Sequence, residues 1–377
     1  MLVGKNTENV LNNNLHVDNW KTEYVENKTS GVFELAETYQ GKIDIDKVEE
    51  YTYLGFVISC KGDNMANINQ VKKKSIGTIR TIFNKLKSLN LKQYYFESAL
   101  LLMNVILRPS ILYAADMYYD LKEGELRQLE RIEEQFLRKI FKTTKGCPIT
   151  QLYLEIGQFP ARFEIQKMRM LYLKYILEQE DESTLKKFLK LQIGEPNRGD
   201  WASTCRNDLE ELKIELSYEQ IKVMTKSKFT NILKQKITEN ALKYLLEKQG
   251  SKGKEILYTH LEMAEYLLPC HNKISVGEKQ EIFAMRNRMV DIPQNNGNKS
   301  IKCICNETEN MKHIYICEIL SEKSEHQVEY EEIYNGNFDQ QKQVFEIFRK
   351  NMEKRKTITS KIIFPCDLSD PLYTVMD

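Results

Sequence analysis

Residues 48–89 read V-E-E-Y-T-Y-L-G-F-V-I-S-C-K-G-D-N-M-A-N-I-N-Q-V-K-K-K-S-I-G-T-I-R-T-I-F-N-K-L-K-S-L, and the spacing of the apolar residues changes partway along. From Val48 to Ser59 aromatic and β-branched residues crowd together and stop at the turn signal Lys61-Gly62-Asp63-Asn64, which predicts a strand. Beyond the turn, Ile68, Val71, Ile79, Ile82, Phe83, Leu86 and Leu89 recur at helical intervals. Lys72, Lys73, Lys74, Arg80, Lys85 and Lys87 fall mainly between them, so the spacing predicts an amphipathic helix with an apolar face and a basic face.

The helical pattern continues downstream. Leu91 to Leu107 is apolar nearly all round, which predicts burial, and Arg108-Pro109 breaks or kinks it because proline lacks an amide donor and disfavours helical backbone in the preceding residue. Leu126, Leu129, Ile132, Phe136, Leu137 and Ile140 form one stripe of a helix over Glu125–Lys142, punctuated by Gly146-Cys147-Pro148. In a helix over Ala161–Glu178 the apolar side is Ile165, Met168, Leu171, Tyr172, Tyr175 and Ile176, with Arg162, Lys167, Arg169 and Lys174 distributed around it. Leu191–Ala202, with Pro196 and two glycines, reads as a linker. Further helices are expected over Leu209–Leu216, Tyr218–Leu246 with breaks, Lys254–Leu268, Ser275–Met289 with Ser275 as its cap, and Phe338–Arg355. Residues 1–46 form a polar, acidic lead-in with room for one hairpin near Val32–Leu35. The expected segments are 1–60, 61–190, 191–292 and 293–377.

Composition sets outer bounds. The 41% hydrophobic and 29% charged content is that of ordinary globular domains, which argues against disorder and fibrous repeats. No apolar run approaches the roughly 20 residues of a membrane span, and Met1 is not followed by a signal-peptide pattern, so an intracellular protein, nuclear or cytoplasmic, is expected. Eight scattered cysteines then read as reduced thiols. The net charge of +1 conceals an asymmetry. Residues 1–60 hold ten acidic side chains against five lysines, whereas residues 61–177 hold twenty basic side chains against eleven acidic ones. A polyanion would be drawn to the second stretch.

Several phrases are more specific than their periodicity. Tyr51-Thr52-Tyr53-Leu54-Gly55-Phe56-Val57-Ile58 resembles the Y-x-Y-L-G-x-x-I motif at the palm-to-thumb junction of non-LTR (LINE-type) retrotransposon reverse transcriptases. Arg108-Pro109-Ser110-Ile111-Leu112-Tyr113, Leu126–Ile140, Leu152-Tyr153-Leu154-Glu155-Ile156-Gly157 and Arg169-Met170-Leu171-Tyr172-Leu173 are similar to that family's thumb and post-thumb helices, in the same order. The resemblance covers about a third of the chain. It implies a mainly α architecture: a thumb-like helical bundle with one small β element, a helical linker, and a zinc-knuckle-like C-terminal segment. It also implies contact with RNA or DNA. What the family needs for polymerisation is missing: two divalent ions are held there by a Y-x-D-D pair and a third aspartate. Only some fifty residues precede Tyr51, with no Asp-Asp pair among them, so no catalytic magnesium is expected in this chain alone. Tyr113-Ala114-Ala115-Asp116 is a decoy, a helix-packing element with an exposed Asp in a thumb position.

Cys303-x-Cys305-x7-His313-x3-Cys317 is the second constellation. Three thiolates and an imidazole satisfy tetrahedral zinc, and His313 and Cys317 lie four apart on one helical face. The single residue between Cys303 and Cys305 strains simultaneous coordination, and Cys270-His271 offers a replacement pair. Two readings stand, a structural zinc or three thiols beside a solvated histidine. The element also resembles the Cys-rich segment near the C-terminus of these retrotransposon proteins. The basic helix likewise reads either as a surface for backbone phosphates or as a solvated face. Tyr94, Tyr95 and Phe96 read as the core-facing start of the second helix rather than a base-stacking platform. His16, His260 and His326 are isolated, and no phosphate-cradling glycine loop, nucleophile elbow or H-E-x-x-H is present.

Three functional expectations follow. One is a partial reverse-transcriptase-like protein that binds nucleic acid through Lys72, Lys73, Lys74, Arg80, Lys85 and Lys87 without polymerising. Another is a helical interaction protein or relic with no nucleic-acid role. The last is the C-terminal part of an enzyme whose catalytic palm lies on another polypeptide.

Overall fold

A computed structural model describes residues 2–4, 24–27, 32–35, 45–143, 147–194, 199–249, 261–268, 274–287, 289–290, 302–303, 305–321 and 328–363, with side chains described from residue 48 to residue 358. The chain is mainly helical, as the periodicity predicts, and divides into two units, residues 1–70 and 71–377.

The first unit holds the described strands, in antiparallel pairs. β1 (Leu2–Gly4) pairs with β4 (Ile45–Lys47), and β2 (Tyr24–Asn27) with β3 (Val32–Leu35), the hairpin foreseen in the lead-in. The single strand expected over Val48–Ser59 is instead a hairpin of β5 (Glu50–Tyr53) and β6 (Phe56–Ser59). Leu54 and Gly55 turn the chain at φ 48° and 87°. Two positive-φ residues match the twist of a two-residue hairpin, and the Leu at the first is what hid the turn in an otherwise β-branched run. Asn67 ties the hairpin down by accepting from the Val57 N–H at 3.0 Å.

Helix α1 (Met65–Ser88) runs across the division between the units. In the second unit Ile79, Ile82, Phe83 and Leu86 are buried, and Phe83 meets Phe136 of α4 (Glu123–Phe141) with ring centroids 5.2 Å apart. Leu89, assigned to the same stripe, lies beyond the helix end and is 58% exposed. α4 buries the stripe read from the sequence, with Leu126 half-buried at its start.

The second apolar segment is not one buried helix. It comprises α2 (Tyr95–Leu102), a π-helical stretch over Met103–Leu107, and α3 (Arg108–Ile111). The Arg108 N–H donates to the Met103 carbonyl five residues back, so a widened turn absorbs the chain just before Pro109, whose nitrogen has no hydrogen to give. Phe96, Met103, Leu107 and Ile111 are fully buried, whereas Leu101 and Val105 are 60% and 62% exposed. Phe96 contacts Phe141, which stacks on Phe283 of α11 (Val276–Arg286).

The remaining helices of the second unit are α5 (Ile149–Glu155), α6 (Ala161–Glu178), α7 (Thr184–Gly194), α8 (Trp201–Glu211), α9 (Tyr218–Val223), α10 (Lys226–Gln249), α12 (Met311–Ile316), α13 (Glu332–Asn335) and α14 (Phe338–Ile363). α6 is central. Its Met170, Leu173 and Leu177 join Leu189, Cys205, Ile221, Phe229, Leu233 and Ile237 in one core, so both sides of the boundary drawn at 190/191 share apolar packing. Arg169 and Lys174, two of the cations distributed around the apolar side, are buried. Arg169 donates from Nε to Asp208 Oδ2 at 2.6 Å and from Nη1 to the Tyr118 carbonyl at 2.6 Å; Lys174 Nζ donates to the Ile221 and Met224 carbonyls. α8 begins eight residues before the helix expected at Leu209, capped by Asp200, which accepts from the Ser203 N–H at 2.6 Å. Of the helix expected over Lys254–Leu268, the described part holds only a 3-10 turn, Glu265–Leu267. Among the described residues no helix is long and apolar enough to cross a membrane.

Candidate nucleic-acid interface and metal centre

α1 contains no Asp or Glu, and Lys72, Lys73, Lys74, Arg80, Lys85 and Lys87 are all exposed. Lys73, Lys74, Arg80, Lys85 and Lys87 lie outside the arc of the buried stripe, while Lys72 is exposed near the start of the helix at the angle of Ile79 and Phe83. Lys85 and Lys87 in the last turn sit favourably at the negative end of the helix dipole. Crowding like charges disfavours the helix by tenths of a kcal/mol per pair, whereas each large buried apolar side chain contributes about 1.5–3 kcal/mol, so packing decides. The cations are thus held out on a rod anchored from behind by Ile79, Ile82, Phe83 and Leu86. Tyr94 is exposed and Phe96 buried, so the aromatic run splits between surface and core.

The second site assembles Cys303, Cys305, His313 and Cys317, whose ligand atoms all lie within 4.8 Å of one another. Lys302 bridges Thr308, the Cys303 N–H donates to the Glu307 carbonyl, and the Asn306 N–H donates to the Cys303 carbonyl, the last two at 2.8 Å. Asn306 turns the chain at φ 72°, a conformation asparagine tolerates better than most residues. That turn brings both Cys303 and Cys305 into the group despite the short spacing between them. α12 delivers the other two, started by Asn310, which accepts from the His313 N–H at 2.8 Å.

Cys303 Sγ and Cys317 Sγ are 3.7 Å apart, and Cys305 Sγ is 3.1 Å from His313 Nε2. A tetrahedral ion with Zn–S bonds of about 2.3 Å separates two sulfurs by about 3.8 Å, so the first pair already has the spacing of two ligands on one ion. Cys303 and Cys317 are buried, Cys305 and His313 half-buried. Burial pushes the Cys303 thiol up to about 12, the opposite of what a bound cation does to a coordinating sulfur. The donor set is soft, with no carboxylate, and could hold one zinc-type ion. Cys270 and His271, the replacement pair, lie outside the described residues, as do His16, His260 and His326.

Asp116 is half-buried rather than exposed, in a 3-10 turn (Ala115–Met117) between buried Ala115 and Tyr118, and its carbonyl accepts from Trp201 Nε1 at 2.8 Å. Sequence reasoning missed a buried ionic frame. Glu133 accepts from Arg108 Nε (2.8 Å), the Tyr153 hydroxyl (2.7 Å) and the Ala161 N–H (2.9 Å), while Arg286 Nε donates to Glu155 Oε1 at 2.7 Å. Gly157 follows at φ 64°, with Glu262 and Met263 backbone where a side chain would stand. The phrases around Arg108, Glu155 and Arg169 thus mark joints between helices. Against known proteins, no family model, curated protein or solved structure matches the chain.

Proposed function

We propose that this is a non-catalytic nucleic-acid-binding protein that engages phosphate backbones through the basic face of α1 and carries one structural zinc on Cys303, Cys305, His313 and Cys317. The single observation behind the first half is a helix with six exposed cations and no acid. Backbone phosphates are the partner that such a face attracts without sequence preference. The likeness of residues 51–58 and 108–173 to the thumb and downstream region of non-LTR reverse transcriptases supports RNA or DNA as that partner. In that reading the chain does not polymerise by itself, and a palm-bearing polypeptide would supply the aspartates.

Fluorescence anisotropy on labelled RNA and DNA duplexes, titrated with salt, tests the binding. Six phosphate contacts give a log–log salt slope of about −5 on duplex DNA, and replacing the six cations with Gln should abolish both slope and affinity. Binding that ignores salt would remove the phosphate argument. For the metal, elemental analysis should find about one zinc per chain, lost in Cys317→Ser; a folded, metal-free protein would end that half of the proposal.

A helical interaction protein is the competing reading, favoured by exposed apolar side chains on α2 and the π-helical stretch (Leu101, Val105, Ile106) and on α7 (Leu185, Phe188, Leu191). Sedimentation velocity over a concentration series separates the two, since self-association without nucleic-acid affinity would support this one.

A further inference from the structure

Gly77 stands in the middle of α1, exposed, and a side chain built there meets nothing within 4 Å. No positive φ requires a glycine, and no neighbour needs the space. Glycine in an exposed helix interior weakens the helix relative to almost any other residue, so the fold gains nothing from it. What a missing side chain does provide is close access to the helix backbone from outside.

The surroundings say what could approach. At about 100° per residue, Lys73, Arg80 and Lys87 project within about 40° of one another on one side of Gly77, and Lys74 and Lys85 within about 20° of one another on the other. Between these two rails run Gly77, Thr81, Asn84 and Ser88, all exposed and all neutral. Among the described residues Lys73, Arg80 and Lys87 have no ion-pair partner. The three are spaced by seven residues, roughly 10.5 Å of helix, so they form a row of cations along the rod. The Thr81 hydroxyl donates to the Gly77 carbonyl at 3.1 Å and so stays on the helix.

We infer that Gly77 is the seat of a phosphodiester backbone, a notch between two cationic rails where the nucleic acid comes closest to α1. The inference rests on the nucleic-acid reading and adds a contact point to it. A line of negative charge narrower than the gap between the rails is the chemistry the groove fits, and bulk at Gly77 would lift it off both.

The test compares full-length wild type, Gly77→Gln and the triple variant Lys73→Gln, Arg80→Gln, Lys87→Gln on one labelled duplex of about 20 base pairs, made in RNA and in DNA, at several salt concentrations. Gly77→Gln should melt a few degrees higher by circular dichroism, because glutamine is the better helix former. It should bind about tenfold more weakly, equivalent to about 1.4 kcal/mol, with the slope kept because no charge has changed. The triple variant should instead lose nearly three units of slope. Wild-type affinity in Gly77→Gln, with the triple variant weakened, would overturn the notch while leaving the basic face as the binding surface. A lower melting temperature for Gly77→Gln would show that the glycine serves the fold and would also overturn it. No salt-dependent binding by wild type would remove both readings. Equal sensitivity to Gly77→Gln on phosphatidylserine vesicles would overturn nucleic acid as the occupant.

Discussion

Two glycines in this chain should respond oppositely to the same substitution. Gly77→Ala adds a methyl group in open space in a helix interior, and should stabilise the protein by about 0.5–1 kcal/mol. Gly157→Ala meets the Glu262 carbonyl carbon at 2.2 Å and sits at φ 64°, so both the clash and the left-handed backbone count against it. It should cost about 2 kcal/mol or more, read as a shifted urea midpoint at constant m-value. Neither outcome is visible in the one-letter code, where both are single glycines near helical residues. The buried charges were hidden for a related reason. A lysine or arginine within an apolar period reads as a solvated position, yet Arg169 has Asp208 and Lys174 has the Ile221 and Met224 carbonyls, partners 39 to 50 residues away. Burial raises the Asp208 carboxyl above its ordinary range, and the Arg169 guanidinium beside it, with a hydrogen bond from Gln166, opposes that shift. Glu133 shows what such a frame is worth. Arg108→Met leaves that carboxylate buried without its cation, and should cost about 3–5 kcal/mol in the same unfolding experiment.

Among the elements, those with one clean stripe were legible. α1 and α4 bury most of the residues their spacing names, all but Leu89 past the end of α1 and the half-buried Leu126, because each rests one face on the core and leaves the other in water. The segment 91–111 was not, because an all-round apolar run carries no phase: the outer residues Leu101 and Val105 look identical in sequence to the inner Leu107 and Ile111. The local code did foretell the start of α11. Ser275 accepts from the Glu278 N–H at 3.2 Å, and Glu278 Oε2 accepts from the Ser275 N–H at 2.7 Å, a reciprocal capping box. Ser275→Ala should cost about 1 kcal/mol at neutral pH. The hydrogen bond from the Ser275 backbone, with help from Arg349, holds the Glu278 carboxyl below the usual carboxylate range. Its charge therefore stabilises the fold above that range, and the contribution fades as pH falls through it. Glu278→Gln should be the less stable protein near pH 7, and the gap should close as pH falls through and below the carboxylate range. A stability difference that grows on acidification would reverse the sign of this assignment.

For the whole molecule, the cysteine–histidine group is the feature in which spacing and three-dimensional placement agree most closely. The ligand residues could be named from the sequence, but their compatibility could not, since it depends on the left-handed Asn306 and on the start of α12 at Asn310. What the group supports was also out of reach. Asn351 Nδ2 on α14 donates to the Ile314 and Tyr315 carbonyls at 2.9 and 3.1 Å, and Arg355 pairs with the buried Glu309. Side chains of the last long helix are thus fastened to the short segment that carries His313 and Cys317, Asn351 to its backbone and Arg355 to a side chain. The core around α6 and α10 includes no residue of that segment or of α14. If zinc closes the group, its removal should be felt locally. Hydrogen–deuterium exchange after chelation, or in Cys317→Ser, should speed up in residues 305–321 and along the inner face of α14 near Asn351 and Arg355. Protection at Leu233, Ile237 and Ala241 should stay unchanged. Uniform loss across both regions would mean that the metal holds the entire second unit together, and no change in either would leave the four side chains as thiols and imidazole without an ion.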